Sequence, residues 1–114
     1  MNLLSELSIL IKRLGILFET GFYSGIPPNT YIVITPLVDT LEGHSDNRPR
    51  YEIQEVRLSL FDKGNYISLK NQLVRTLLDA DILITDSRYI EHEDGTGYFH
   101  YAIDVAKEYK LQEV

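Results

Sequence analysis

Apolar positions along this chain recur with a helical period in two stretches and alternate in several others, and the switches between the two patterns divide it into elements. Leu3, Leu7, Leu10 and Leu14 fall on one stripe, with Leu4 and Ile11 beside it. That spacing predicts an amphipathic helix over 2–14 with one broad apolar side. Asn2 suits an N-cap, and Gly15 stands where a left-handed residue would close the helix. Residues 16–29 hold Phe18, Phe22, Tyr23, Gly21, Gly25 and the pair Pro27-Pro28. They read as a connector with room for a short strand at Leu17 to Glu19. From Tyr31 to Val38 β-branched residues fill both phases, the mark of a strand covered on each side. Pro36 marks its end or an edge position.

Asp39 to Arg50 is the longest polar stretch and is expected to be a long loop, a type of segment that often carries function. Tyr51 to Phe61 resumes as a strand. Val56, Leu58 and Leu60 alternate with Arg57 and Ser59, whereas Tyr51 and Ile53 sit in the opposite phase, which predicts a bulge near Gln54 to Glu55. Asp62-Lys63-Gly64 is a turn, and Asn65 caps a second helix with a stripe of Tyr66, Leu69, Leu73 and Leu77, flanked by Val74 and Leu78. Asp81 to Glu91 and Tyr98 to Lys107 are strands joined at the turn Asp94-Gly95-Thr96-Gly97. In the last strand Phe99, Tyr101, Ile103 and Val105 point one way; Tyr98, His100 and Asp104 point the other.

Strands and helices do not alternate as they do in a parallel α/β fold. The expected architecture is α+β: a mostly antiparallel sheet of about four strands, with two helices packed on one face and room for one mixed edge. With 114 residues, and no internal repeat or low-complexity tract, a single domain spanning 1–114 is expected.

Composition narrows the function classes. There are no cysteines, which removes disulfides, thiolate metal sites and cysteine nucleophiles and fits a reducing compartment. The leucine-rich start carries Glu6 ahead of Lys12 and Arg13 and has no small-residue cleavage site, so it reads as a structural helix and not as a signal peptide. No apolar run approaches the roughly 20 residues of a membrane span, and no membrane association is expected. The net charge of −6 and the scatter of basic residues disfavour phosphate backbones, and no sequence-specific nucleic-acid binding is expected.

Candidate chemistry is sparse. Glu91, His92, Glu93 and Asp94, with His100 across the hairpin, hold metal-ligand types, but neighbouring strand residues point to opposite faces, and a solvated acidic turn accounts for them. Ser45, His44 and Asp46 are a Ser/His/Asp set only on paper, since three loop neighbours supply neither an oriented base nor an oxyanion hole. Gly95-Thr96-Gly97 sits between antiparallel strands, without the helix start that a phosphate loop needs. Asp79 and Asp81 flank a helix end. No cofactor, metal site or catalytic residue is therefore expected. The tyrosines, eight in number, suit sheet faces and interfaces alike, and alternation places Tyr98 toward solvent and a partner. The candidate assembly interface is His44, Asp46, Arg48, Arg50, Tyr98 and His100.

The order of elements, with Gly-Ile-Pro-Pro-Asn-Thr-Tyr-Ile-Val-Ile (25–34) leading into a strand and Tyr-Glu-Ile-Gln-Glu-Val-Arg-Leu-Ser-Leu-Phe (51–61) after a polar loop, resembles the small tail-completion proteins of long-tailed phages and prophages, the tail-terminator and head-to-tail joining family. The resemblance implies a structural virion protein without enzymatic activity. It would form a closed homo-oligomeric ring, often a hexamer, that contacts the tail tube and the head connector. It would assemble in the host cytoplasm and end in the virion tail. The residues alone leave two other readings open, a small dimeric α+β binding or regulatory module and a metal-dependent enzyme using His92 and His100.

Overall fold

The computed structural model describes residues 2–111. Its elements run α1 (Leu3–Arg13), β1 (Leu17–Thr20), β2 (Thr30–Glu42), β3 (Tyr51–Asp62), α2 (Tyr66–Asp79), β4 (Leu83–His92) and β5 (Phe99–Lys110). Both helices begin at an asparagine whose side-chain oxygen accepts a backbone N–H three residues on: Asn2 from Ser5 at 2.8 Å and Asn65 from Ser68 at 3.1 Å. Both end the same way. Gly15 (φ 75°) and Asp81 (φ 58°) take the left-handed position. Ile16 then donates back to Ile11, and Ile82 to Leu77. Asp81 is thus a helix terminator, in a conformation that aspartate tolerates better than most residues.

The strands form one sheet in the order β1-β2-β3-β5-β4. All pairings are antiparallel except β1 with β2. The fold is therefore α+β as the sequence pattern implied, with the short β1 as a fifth strand and the mixed edge. A parallel neighbour normally needs a long crossover. Residues 21–29 suffice because β1 is only four residues long, a return path of roughly 13 Å.

One aliphatic core joins the layers. Leu3, Leu7 and Ile11 of α1 and Leu69, Leu73 and Leu77 of α2 pack against Ile32 and Ile34 of β2, Val56, Leu58 and Leu60 of β3, and Ile103 and Val105 of β5. Full burial of each such side chain contributes about 1.5–3 kcal/mol. Leu78, expected beside this stripe, is instead exposed on the far side of α2. A second tie crosses the layers at Glu6, which accepts from Lys107 Nζ at 2.6 Å and from the Tyr109 hydroxyl. Lys107 also donates to the carbonyl of Ala80 at 3.1 Å, so one ammonium fastens α1, β5 and the end of α2. Burial pushes the Glu6 carboxyl up, but the Lys107 and Tyr109 hydrogen bonds outweigh it and hold the group below its ordinary value.

Two expectations are corrected. Asp39 to Arg50 is not a long loop, because β2 runs to Glu42 and pairs with β3 throughout. Beyond it Ser45 and Arg48 exchange both backbone hydrogen bonds, at 2.8 and 3.0 Å, around Asp46 (φ 52°) and Asn47 (φ 64°). Positive φ at both central residues makes this a type I′ hairpin turn. The hairpin is an arm whose distal strands lie beyond the helices, and the molecule measures 54 × 27 × 24 Å. The outer part of β2 is exposed on both faces and mixes Leu37, Val38 and Leu41 with Asp39, Thr40 and Glu42, so alternation gave no sign of a strand. The bulge is also displaced. β3 pairs with β5 without a break from Tyr51 to Asp62, and the extra residue is Leu37 of β2, across from Glu55 and Val56. A bulge in β3 would break two ladders. At Leu37 β1 has already ended, so β2 has one free side, which also accommodates Pro36.

Candidate assembly surfaces

Alternation along the strands sets the second face of the sheet, opposite the helices, and the pairing register sorts it into rows running β2-β3-β5-β4: Val38-Glu55-Ala106-Leu83, Thr35-Arg57-Asp104-Asp86, Val33-Ser59-Ala102-Arg88 and Tyr31-Phe61-His100-Glu91. Its centre is ionic. Arg57 donates to Asp104 through Nε at 2.7 Å and Nη2 at 3.0 Å, a two-pronged bond that raises the guanidinium pKa further. Asp86, across from Asp104, is 3.4 Å from Arg88, so the like charges in one row are separated by their own partners.

One end of this face is aromatic. Tyr31 stacks on Phe61 (centroids 4.7 Å, planes 10° apart), and Phe61 stacks on His100 (4.3 Å, 20°). Tyr98 meets Tyr31 edge-on at 5.4 Å, and Tyr23 from the 21–29 connector tilts over Tyr31 at 4.8 Å. The Tyr98 hydroxyl donates to the Pro28 carbonyl. This overturns the expectation that Tyr98 faces solvent. It is only 4% exposed: it lies on the same face as His100, as alternation implies, but that end of the face is covered, with its ring against Tyr31 and Phe61 and its hydroxyl on the Pro28 carbonyl. His100 is likewise withdrawn, with a buried Nε2 that has no hydrogen-bond partner. Burial lowers its pKa; Glu93 and Glu91 oppose the shift, and Arg57 adds to it.

The six expected interface residues therefore do not meet. His44, Asp46, Arg48 and Arg50 are exposed at the tip of the arm. Tyr98 and His100 lie in the stack at the opposite end of β3 and β5. Gly43 at the base of the tip is fixed twice over: φ is 68°, and a Cβ there would come within 2.6 Å of the Tyr51 ring.

Exposed apolar residues lie along the arm (Leu37, Val38, Leu41) and on the outer sides of the helices (Ile9, Ile67, Leu78), and the most exposed stand at or beside the two edges. At the β1 edge, Leu17 is 58% exposed, and the connector that follows displays Phe22 at 74% and Ile26 at 97%. At the β4 edge, Leu83 is 65% exposed, with Tyr89 and Ile90 also open. β4 bulges at Thr85 and at Ile90, which disfavours uncontrolled strand pairing and leaves side chains to make any contact. Periodicity could not flag these residues, because they serve no core. One sign was available: Phe22 and Ile26 are large apolar residues in a Gly/Pro-rich connector with no periodic partner.

His92 Nδ1 lies 3.3 Å from Asp94 at the exposed β4–β5 turn, and its ring tilts over Phe99. Among the described residues no group of three or more His, Asp or Glu side chains is placed to hold a metal ion, and no helix is long and apolar enough to cross a membrane. No family model matches the chain, and a search of curated proteins returns no match.

Proposed function

We propose that this chain is a structural subunit that joins its own copies head to tail into a closed ring, and that the ring completes the tail of a long-tailed phage or prophage, seated between tail tube and head connector. The observation that carries the assembly reading is the pair of unlike apolar edges. Leu17 of β1 lies at one edge of the sheet, followed in the chain by the exposed Phe22 and Ile26, and Leu83, Tyr89 and Ile90 of β4 lie at the other. A ring needs two different complementary patches per subunit, whereas a twofold dimer uses one patch twice. Two dissimilar patches on opposite sides therefore favour rotation-closed rings over the dimeric binding module. The ring's role in a tail rests on the resemblance of the 25–34 and 51–61 segments and on the order of elements. The acidic surface supports it further, since a net charge of −6 suits a passage along which DNA slides without adhering. In this reading the protein has no catalytic role, binds no cofactor and works in the host cytoplasm until it joins the virion.

Light scattering over a wide concentration range, at low and moderate salt, tests the assembly. The expected result is one closed species of several subunits, populated as concentration rises. A chain that stays monomeric, or that stops at a tight dimer, overturns the ring.

A further inference from the structure

We propose that the Tyr31-Phe61-His100 stack, with Tyr98 and Tyr23, is an acid-sensitive clasp that holds the 21–29 connector against the sheet and releases it when His100 takes up a proton. The clasp stands independently of ring assembly, although in that reading it orders the segment that displays Phe22 and Ile26.

The connector has few other anchors. Gly21 donates to the Ile34 carbonyl at 2.9 Å, Lys63 donates to the Asn29 carbonyl at 3.0 Å, and Ser24 bonds the exposed Glu19. Between them the hold is aromatic: Tyr23 lies on Tyr31, and the Tyr98 hydroxyl binds the Pro28 carbonyl. Both tyrosines rest on the Tyr31-Phe61 pair, and His100 completes that pair's far side. Neutral His100 tolerates a bare Nε2 at the cost of one unmet acceptor. Protonated His100 would hold a buried Nε2–H without an acceptor and a partly desolvated charge, which is costlier.

The charged groups around the ring divide. Glu91 pairs with His100 across the β4 ladder, and Glu93 at the turn also favours the charge; Arg57 of β3 opposes it. Lys63, before α2, lies 4.8 Å from the Tyr98 ring centre and adds a second positive charge at this end. The face of Phe61 favours a cation modestly. Desolvation is the largest influence, so the folded histidine titrates below its ordinary 6.5. The sign follows. Above that value both closed and open forms are neutral and the clasp is fully stable. Below it the open form binds the proton first, and closure weakens by up to about tenfold per pH unit until the closed form titrates too.

Amide exchange followed by mass spectrometry at pH 7.5 and 5.0, with rates normalised to an unstructured peptide, reads the opening directly. In the wild-type chain the amides of Gly21, Ser24 and Lys63, whose hydrogen bonds fasten the connector, should lose protection at pH 5.0, by at most about tenfold for each pH unit below 6.5, while the β3 amides keep theirs. His100→Phe, which preserves the stack without a titrating ring, should remove the pH response; His100→Gln tests the same point if the Phe variant fails to fold. His44→Ala and His92→Ala should respond as wild type. A connector equally protected at both pH values, or a response that persists in both His100 variants, overturns the clasp. Neither result bears on whether rings form, which light scattering at pH 7.5 reads separately.

Discussion

On the helix-covered face of the sheet, Ile32, Leu60 and Ile103 belong to a core of buried aliphatic side chains, and not one of them is accessible. On the other face the same strands carry Val33, Ser59 and Ala102, the Arg57-Asp104 pair, and the aromatic stack at one end. The first face is what a chain of this length requires in order to fold. The second exceeds that requirement, with charges fixed by their own partners and a ring nitrogen left bare. Folding therefore constrains the first face, and function has more freedom to shape the second and the edges beside it.

The largest effect should come from the covered face. Leu58→Ala, at a fully buried position in the central strand, should cost about 3 kcal/mol in urea unfolding without a change in m. A loss under 1 kcal/mol would mean that this face is not the stability determinant. Next is the tie between layers. Glu6→Gln removes a carboxylate whose folded pKa lies below the ordinary 4.5, and should cost about 1–2 kcal/mol at pH 7. Because the folded value is depressed, that stability is present above pH 4.5 and is lost as pH falls through the folded value, so the variant and wild type should converge in acid. The open face should matter less: Asp104→Asn, at a partly exposed pair, should cost about 0.5–1 kcal/mol and less at high salt. Charged substitutions at the edges should change stability by no more than about 0.5 kcal/mol and still abolish assembly.

Where burial was one-sided, the pattern was legible. Leu3-Leu7-Ile11 and Leu69-Leu73-Leu77 announced the helices, Asn2 and Asn65 their starts, and Val56-Leu58-Leu60 the central strand. The arm was not legible, because strands exposed on both faces show no alternation, and its turn relies on Asp46 and Asn47 in place of a glycine pair. The bulge was visible as a change of phase at Tyr51 and Ile53. That change, however, records which face of β3 is apolar, and the inserted residue sits at Leu37 in the neighbour with a free side. Tyr98 was given the right face and the wrong exposure, because nothing in the strand pattern shows that the 21–29 connector covers that end of the sheet. Of the assembly surfaces, the polar tip could be read in sequence as His44 to Arg50. The apolar edges could not, since only the strand order reveals that Leu17 and Leu83 lie at opposite edges.

The central claim is that two unlike edges meet. The most direct test uses Ile26→Asp and Leu83→Asp, each alone and then mixed, with mass measured by light scattering. Each variant alone should remain a monomer, because every contact needs both edges. An equimolar mixture should form a one-to-one dimer and stop there, since each variant keeps one intact edge. If both variants assemble like the wild type, or if the mixture stays monomeric while the wild type forms rings, the two edges are not the surfaces that meet.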